Sequence, residues 1–144
     1  MQYKVLTIAT LTGAMLAAAL PLGVARAATV KLGATLTGPN EPAGGDPDGT
    51  GTFVVEIDPD AGDFCYTITS ARIAAPTMAH VHSGAVGVPG PPVVTIDAKG
   101  NDECMAVEPD VLKPIVANPE NYYVNIHTAD FPAGAIRGQL AVKK

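Results

Sequence analysis

Alternating apolar and polar residues run through most of the chain after its first 27 positions. In the segment 28–37, Val30, Leu32, Ala34 and Leu36 alternate with polar or small residues. A period of two residues is typical of a β-strand with one buried face. The same pattern predicts further strands over 52–58, 64–70, 78–82, 93–97, 103–107, 121–127 and 135–142.

Turn-forming residues separate these segments, and only one stretch favours a helix. The chain has 15 Gly and 13 Pro in 144 residues, spread along its length. The predicted helix spans 110–118, with Asp110 as a possible N-cap and Asn118-Pro119 as the stop. Seven or eight short strands with one short helix predict an all-β fold, an antiparallel β-sandwich or barrel. We expect a sandwich of the immunoglobulin-like or superoxide-dismutase-like kind.

The first 27 residues have the pattern of a secretory signal peptide. Lys4 precedes an apolar run from Val5 to Leu20, and Ala25-Arg26-Ala27 supplies small residues before a cut. The run is short for a membrane span and ends at a cleavage pattern, although an uncleaved anchor is the alternative. We therefore expect one domain over 28–144, secreted or periplasmic, with no membrane insertion after cleavage.

The charge of the chain bears on its partners, and its predicted export bears on the state of its cysteines. The formal charge is −5, so a nucleic-acid partner is not expected. Cys65 and Cys104 are the only two cysteines. In an oxidising compartment they are expected to form a disulfide, while free or metal-bound thiols are the alternatives.

The chain's three histidines lie in two predicted strands. His80 and His82 share one strand face because they are two residues apart, and Met78 lies on that face too. Tyr123, Asn125 and His127 share a face of the second strand. If the two strands are neighbours, three imidazoles converge off the core and can bind copper or zinc, with the Met78 thioether as a weak fourth ligand. Hydrogen-bonded or solvated histidines are the alternative.

Several blocks of the chain carry a resemblance to a known family. They cover most of the residues after position 27, and the last two are the most specific: Gly49–Phe53, Phe64–Ile68, Ala79–Gly84, Gly90–Val93, Asn118–Thr128 and Phe131–Leu140. The chain resembles the CHRD domain, a module of chordin that also occurs in short exported bacterial proteins. The resemblance implies that His80, His82 and His127 match family histidines, and that Arg137 and Gly138 match its closing Arg-Gly-Gln block.

The resemblance leaves three functions open. Chordin sequesters growth factors, but this chain lacks chordin's cysteine-rich modules, so that role is not carried over. The His-Val-His strand also resembles the copper-ligand strand of copper/zinc superoxide dismutases, whose centre takes six histidine positions where this chain has three.

We expect an exported, non-enzymatic binding module with a mononuclear copper or zinc site and an unknown protein or metal-ion partner. The only serines, Ser70 and Ser83, form no recognisable nucleophile motif. One alternative is a mononuclear copper enzyme with dismutase-like chemistry. The other is a structural or adhesion protein whose histidines bond the loop 83–92, while Arg137 bonds the turn 129–134 and Tyr123 and Asn125 also brace loops.

Overall fold

The computed structural model describes residues 28–144, so the predicted signal segment lies outside the described residues. Nine strands and one α-helix form in this part of the chain. They are β1 (Val30–Thr37), β2 (Thr50–Asp58), β3 (Asp63–Ala71), β4 (Pro76–Ser83), β5 (Pro92–Ile96), β6 (Glu103–Ala106), α1 (Pro109–Ala117), β7 (Tyr122–Thr128), β8 (Ile136–Gln139) and β9 (Ala141–Val142). The predicted all-β fold is confirmed.

The strands follow one another in a single curled, antiparallel sheet. Their order is β5-β4-β7-β8-β1-β2-β3-β6, and β9 pairs with β1. The two halves of this sheet meet where Thr37 of β1 pairs with Arg137 of β8. Each half turns an apolar face to the same core, which gives the arrangement of a sandwich.

The core is built from the alternating positions that the sequence indicates. Phe53, Val55 and Ile57 of β2 are buried, and so are the inward residues of β3. The facing half contributes Val81 of β4 and Ile126 of β7, together with their apolar neighbours. The helix covers one side of the core through its own buried apolar residues. Removing this apolar surface from water is the main force that holds the two halves together.

Besides shifts of one or two residues at most strand ends, two elements differ from the sequence prediction. The predicted last strand is divided in two at Leu140: β8 pairs along its length with β7, whereas β9 pairs with β1. The helix begins at Pro109, and Glu108, not Asp110, occupies the N-cap position. Proline suits the first helical position because its fixed φ is helical and its missing N–H would have had no partner there.

A disulfide joins two strands at one edge of the sheet. Cys65 of β3 and Cys104 of β6 are directly opposite in register and their sulfurs are bonded. This confirms the predicted bridge and fits an oxidising compartment. Because β6 is a four-residue strand at the edge of the sheet, the bond fastens an element that pairs with a neighbour on one side alone.

None of the helices formed by residues 28–144 has the length and apolar character needed to cross a membrane.

Candidate metal centre

Pairing between β4 and β7 brings the three histidines together. In their antiparallel register His80 lies opposite Asn125, His82 opposite Tyr123, and Met78 opposite His127. Residues directly opposite each other share a face of the sheet, so all six side chains project from the same side. The other side of these strands carries Val81 and its apolar neighbours into the core. The two strands are therefore neighbours, as a shared site requires.

The three imidazoles lie in mutual contact. The ring centroids are 5.1 Å apart for His80 and His127, 5.4 Å for His80 and His82, and 6.4 Å for His82 and His127. His80 Nδ1 lies 3.2 Å from His127 Nε2. One nitrogen from each ring can be chosen so that all three lie within 4.8 Å of one another. The three rings can therefore hold one metal ion.

Two of the rings are fixed in one tautomer by backbone carbonyls. His82 Nδ1 donates to the Gly90 carbonyl at 2.8 Å, and His127 Nδ1 donates to the Pro132 carbonyl at 3.0 Å. A carbonyl only accepts, so each Nδ1 carries the proton and each Nε2 keeps its lone pair. A hydrogen bond from the second ring nitrogen to a carbonyl is the usual support of a metal-ligating histidine.

One lone pair in the cluster has no partner within the protein. His82 Nε2 is buried and receives no hydrogen bond. Leaving a buried acceptor unpaired costs free energy, and native structures normally avoid it. A metal ion satisfies an imidazole lone pair at this position without any change of tautomer.

Burial and the neighbouring imidazoles disfavour the protonated forms of His80 and His82. Burial is the main cause that lowers the pKa of His80, and the neighbouring His127 and His82 lower it further. The pKa of His82 is also lowered, first by burial, although hydrogen bonding to Gly90 and to Asn125 acts in the opposite direction. A neutral imidazole is the form that binds metal, so these shifts favour ligand binding.

The histidine face is covered by loops and is not the open surface that the sequence suggested. His82, Asn125, His127 and Arg137 are all less than 10% exposed. The loop 84–91 after β4 and the turn 129–134 after β7 fold over them and receive their hydrogen bonds. A short strand sequence does not reveal such a cover, because the covering residues come from outside the strand.

Arg137 supports the loop 84–91. Its Nη2 donates to the carbonyls of Ala85 and Val88 at 2.9 and 3.0 Å, and its guanidinium carbon lies 3.3 Å from the centre of the Tyr123 ring. The loop that we expected Arg137 to hold, 129–134, is instead contacted by His127. The sequence shows which strand Arg137 occupies but not which loop crosses it.

Tyr123 connects this support to the metal cluster. Its ring stacks on His82 with a centroid distance of 4.7 Å and an interplanar angle of 7°. The Tyr123 hydroxyl accepts a hydrogen bond from the Gly90 N–H at 3.2 Å. Tyr123 and Gly90 thus hold His82 from its ring face and its Nδ1 side, which leaves that ring little freedom to rotate.

Met78 lies at the exposed end of the cluster. It is 51% exposed and pairs with His127 across the β4–β7 ladder, next to a register shift between Pro76 and Met78. It shares the histidine face and is the most exposed of the four predicted ligand residues.

Sequence reasoning missed Glu41, which the fold brings to the same region. It follows the short 3-10 helix Gly38–Asn40, is buried, and has an Oε1 atom without a partner. Burial raises the pKa of Glu41, while a hydrogen bond from Asn125 and the charge of Arg137 lower it. Glu41 lies in a loop rich in Gly and Pro, where an acidic residue normally indicates only a solvated turn.

Fold and site together define a small, disulfide-bonded all-β domain that carries a buried three-histidine cluster beside its sheet. The model of the CHRD domain matches residues 32–140, which is most of the chain. The chain therefore belongs to the CHRD domain family. Neither a curated protein nor a solved structure matches it.

Proposed function

We propose that the protein is an exported, non-enzymatic binding module that holds one copper or zinc ion through His80, His82 and His127. The observation that carries the proposal is the convergence of three imidazole nitrogens within 4.8 Å. Two of the rings already present Nε2 lone pairs through carbonyl-bonded tautomers. Imidazole nitrogens are ligands that both Cu and Zn accept.

The distances agree with a small adjustment on metal binding. A metal–nitrogen bond of about 2.0–2.1 Å in tetrahedral geometry places two ligand nitrogens about 3.3 Å apart. The His80–His127 contact of 3.2 Å already meets this requirement. His82 is held by Tyr123 and Gly90, whereas His80 is the least buried of the three rings.

The test is calorimetric titration of the metal-free protein with Cu(II) and with Zn(II). All three histidines of the chain belong to this cluster, so binding that depends on histidine reports on this site alone. We expect one ion per chain, and a loss of affinity of about 100-fold in His80→Ala because one of three ligands is removed. Thr95→Ala is the matched control, because Thr95 is exposed and pairs with His80 across the β4–β5 ladder. Absence of saturable binding, or equal affinity in His80→Ala and the wild type, would refute the metal proposal.

The preference of the site for copper or zinc depends on whether the Met78 thioether binds the ion. Met78 lies on the histidine face beside His127. A thioether favours Cu(I) over Zn(II), so ligation by Met78 would bias the site towards copper. Elemental analysis of untagged protein from its native compartment identifies the ion that it carries.

Export is supported by three independent features. The first 27 residues have the pattern of a signal peptide, the two cysteines form a disulfide, and the chain belongs to a family found in exported proteins. We expect the mature chain to begin at Ala28, in the periplasm or outside the cell. N-terminal sequencing of the fractionated protein tests this, and a retained Met1 in the mature form would contradict it.

A structural role is the second candidate, because the same histidines hold two loops. The carbonyls of Gly90 and Pro132 each accept a bond from a ring nitrogen. Under this reading His82→Ala and His127→Ala destabilise the metal-free fold and His80→Ala does not, since His80 contacts no loop carbonyl among the described hydrogen bonds. Thermal unfolding of the metal-free variants separates this role from ligation.

A further inference from the structure

A small cavity adjoins the histidine cluster on the side of His82. Its volume is about 220 Å³, and its walls include Glu41, His82, Asn125 and Arg137. The Glu41 side chain reaches it because residue 134 is glycine. A Cβ atom at Gly134, whose φ is +141°, would overlap the Glu41 carboxylate. The fold thus leaves room at one backbone position for a buried acidic group.

Three buried polar atoms on the wall of this cavity have no hydrogen-bond partner. They are Glu41 Oε1, Asn125 Oδ1 and His82 Nε2, and each belongs to a side chain that is at least nine-tenths buried. These three are the unpartnered buried side-chain atoms of the described residues. Unpaired groups of this kind are rare in native proteins, so three of them on one cavity indicate a binding site.

The chemistry of the three atoms defines what the cavity accepts. A carboxylate oxygen, an amide oxygen and an imidazole lone pair are all acceptors. Two donors nearby are already engaged: Arg137 Nη2 bonds two carbonyls of the loop 84–91, and the Tyr123 hydroxyl is in contact with Gly90. The complementary ligand set therefore accepts the lone pair of His82 and donates hydrogen bonds to Glu41 and Asn125.

Glu41 does not belong to the group of ligand atoms that lie within 4.8 Å of one another, so it is not an additional member of the histidine set. A cavity of about 220 Å³ exceeds the volume of one water molecule, which occupies about 30 Å³. The space that His82 and Glu41 both line therefore admits a small molecule.

We infer that this cavity holds an exogenous ligand of the metal ion, a small neutral molecule that carries an N–H or O–H group. The molecule binds the ion at the position left free by the three histidines and donates hydrogen bonds to Glu41 and Asn125, which act as positioning residues. The inference rests on the proposed function. A bound cation and the Arg137 guanidinium both favour the ionised form of Glu41. The ionised carboxylate repels anions and accepts hydrogen bonds from N–H and O–H groups.

Two probes of similar size separate this arrangement from an undirected open site. Imidazole is neutral, binds the metal through one nitrogen and offers an N–H to Glu41, whereas azide is an anion without a donor. Spectroscopic titration of the Cu(II)-loaded protein at pH 8 gives the dissociation constant of each probe. Gel filtration after each titration checks that the copper stays on the protein.

The informative variants are Glu41→Gln and Glu41→Asp. Glu41→Gln removes the charge, so we expect azide to bind about tenfold more tightly and imidazole about fivefold more weakly. Glu41→Asp keeps the charge but withdraws the carboxylate by one methylene, so azide binding stays weak while imidazole binding weakens. Glu103→Gln is the matched control, because Glu103 is exposed on β6 at the far edge of the sheet and its removal changes the net charge equally.

Two failures lead to different conclusions. If the wild type binds no copper, the proposed function is overturned and the ligand inference falls with it. If copper binds with the expected dependence on His80 but both probes bind the wild type and Glu41→Gln equally, the metal site stands and the role of Glu41 is refuted. A shift of the same size in Glu103→Gln would also overturn it, because the effect would then come from net charge alone.

Discussion

Replacing Arg137 by methionine tests whether a buried cation holds the cover of the histidine cluster. The change keeps most of the apolar stem and removes the guanidinium. Arg137 Nη2 donates to two loop carbonyls, and the cation lies 3.3 Å from the Tyr123 ring centre. Hydrogen bonds to charged groups contribute about 1.5–3 kcal/mol each, and a desolvated cation–π contact contributes about 2 kcal/mol.

The expected loss is smaller than the sum of these contacts. A guanidinium that is only 2% exposed has given up its hydration, and the methionine variant no longer bears that cost, which amounts to several kcal/mol. We therefore expect Arg137→Met to lower the free energy of unfolding by about 3 kcal/mol. Amides of the loop 84–91 should also lose protection from hydrogen exchange, because the carbonyls of Ala85 and Val88 lose their shared donor.

The assay is urea unfolding of the metal-free protein under non-reducing conditions, with hydrogen exchange as the local readout. Arg72→Met is the matched control. Arg72 also donates to a backbone carbonyl, that of Asp48, but it is exposed, so its removal should cost less than about 1 kcal/mol. Equal losses in the two variants, or unchanged exchange in the loop 84–91, would refute the claim that Arg137 holds the cover.

Three further predictions concern the disulfide, the protons and the thioether. The double substitution Cys65→Ser and Cys104→Ser should lower the free energy of unfolding by about 4 kcal/mol, because the disulfide closes a loop with a sequence separation of 39. Urea unfolding measures this loss, and a value below about 1 kcal/mol would contradict the prediction. The pKa values of His80 and His82 are lowered in the folded state, so the unfolded chain takes up protons first on acidification. The metal-free protein should therefore keep its full stability above the ordinary histidine pKa of about 6.5 and lose stability as the pH falls below it. His80→Ala should reduce that slope in urea unfolding measured from pH 8 to 5, and an unchanged slope would argue against the burial of a neutral imidazole. Met78→Leu should weaken Cu(I) binding about tenfold and leave Zn(II) binding unchanged, as measured by chelator competition; an equal loss for both metals would show that Met78 acts through packing.

The strands and the core could be predicted from local pattern because both depend on alternation within one segment. Phe53, Val55 and Ile57 are buried as their spacing indicates. The bridge between Cys65 and Cys104 followed from a count of two cysteines and the expectation of export. Leu140 marks the limit of such reasoning, since the division between β8 and β9 there depends on the strands that the two segments pair with, β7 and β1.

The histidine cluster could be predicted only conditionally. Spacing placed His80 and His82 on one face, but nothing local shows that β4 lies beside β7, since His80 and His127 are 47 positions apart in the chain. Sheet order is a property of the whole fold, because it is set by which apolar faces can share a core. The family resemblance added support for a shared site, because all three histidines match histidines of the family motifs.

Glu41 shows why the ligand side of the site lay beyond sequence reasoning. Its burial depends on three separate conditions: a 3-10 turn at Gly38–Asn40, the absence of a side chain at Gly134, and the position of Asn125 on β7. Each condition belongs to a different part of the chain, and none changes the local hydropathy pattern around Glu41. A buried acidic residue in a polar loop is therefore visible only after folding has brought its surroundings together. The same reasoning makes such a residue informative, because a buried carboxylate oxygen without a partner is a place where a ligand can supply the missing interaction.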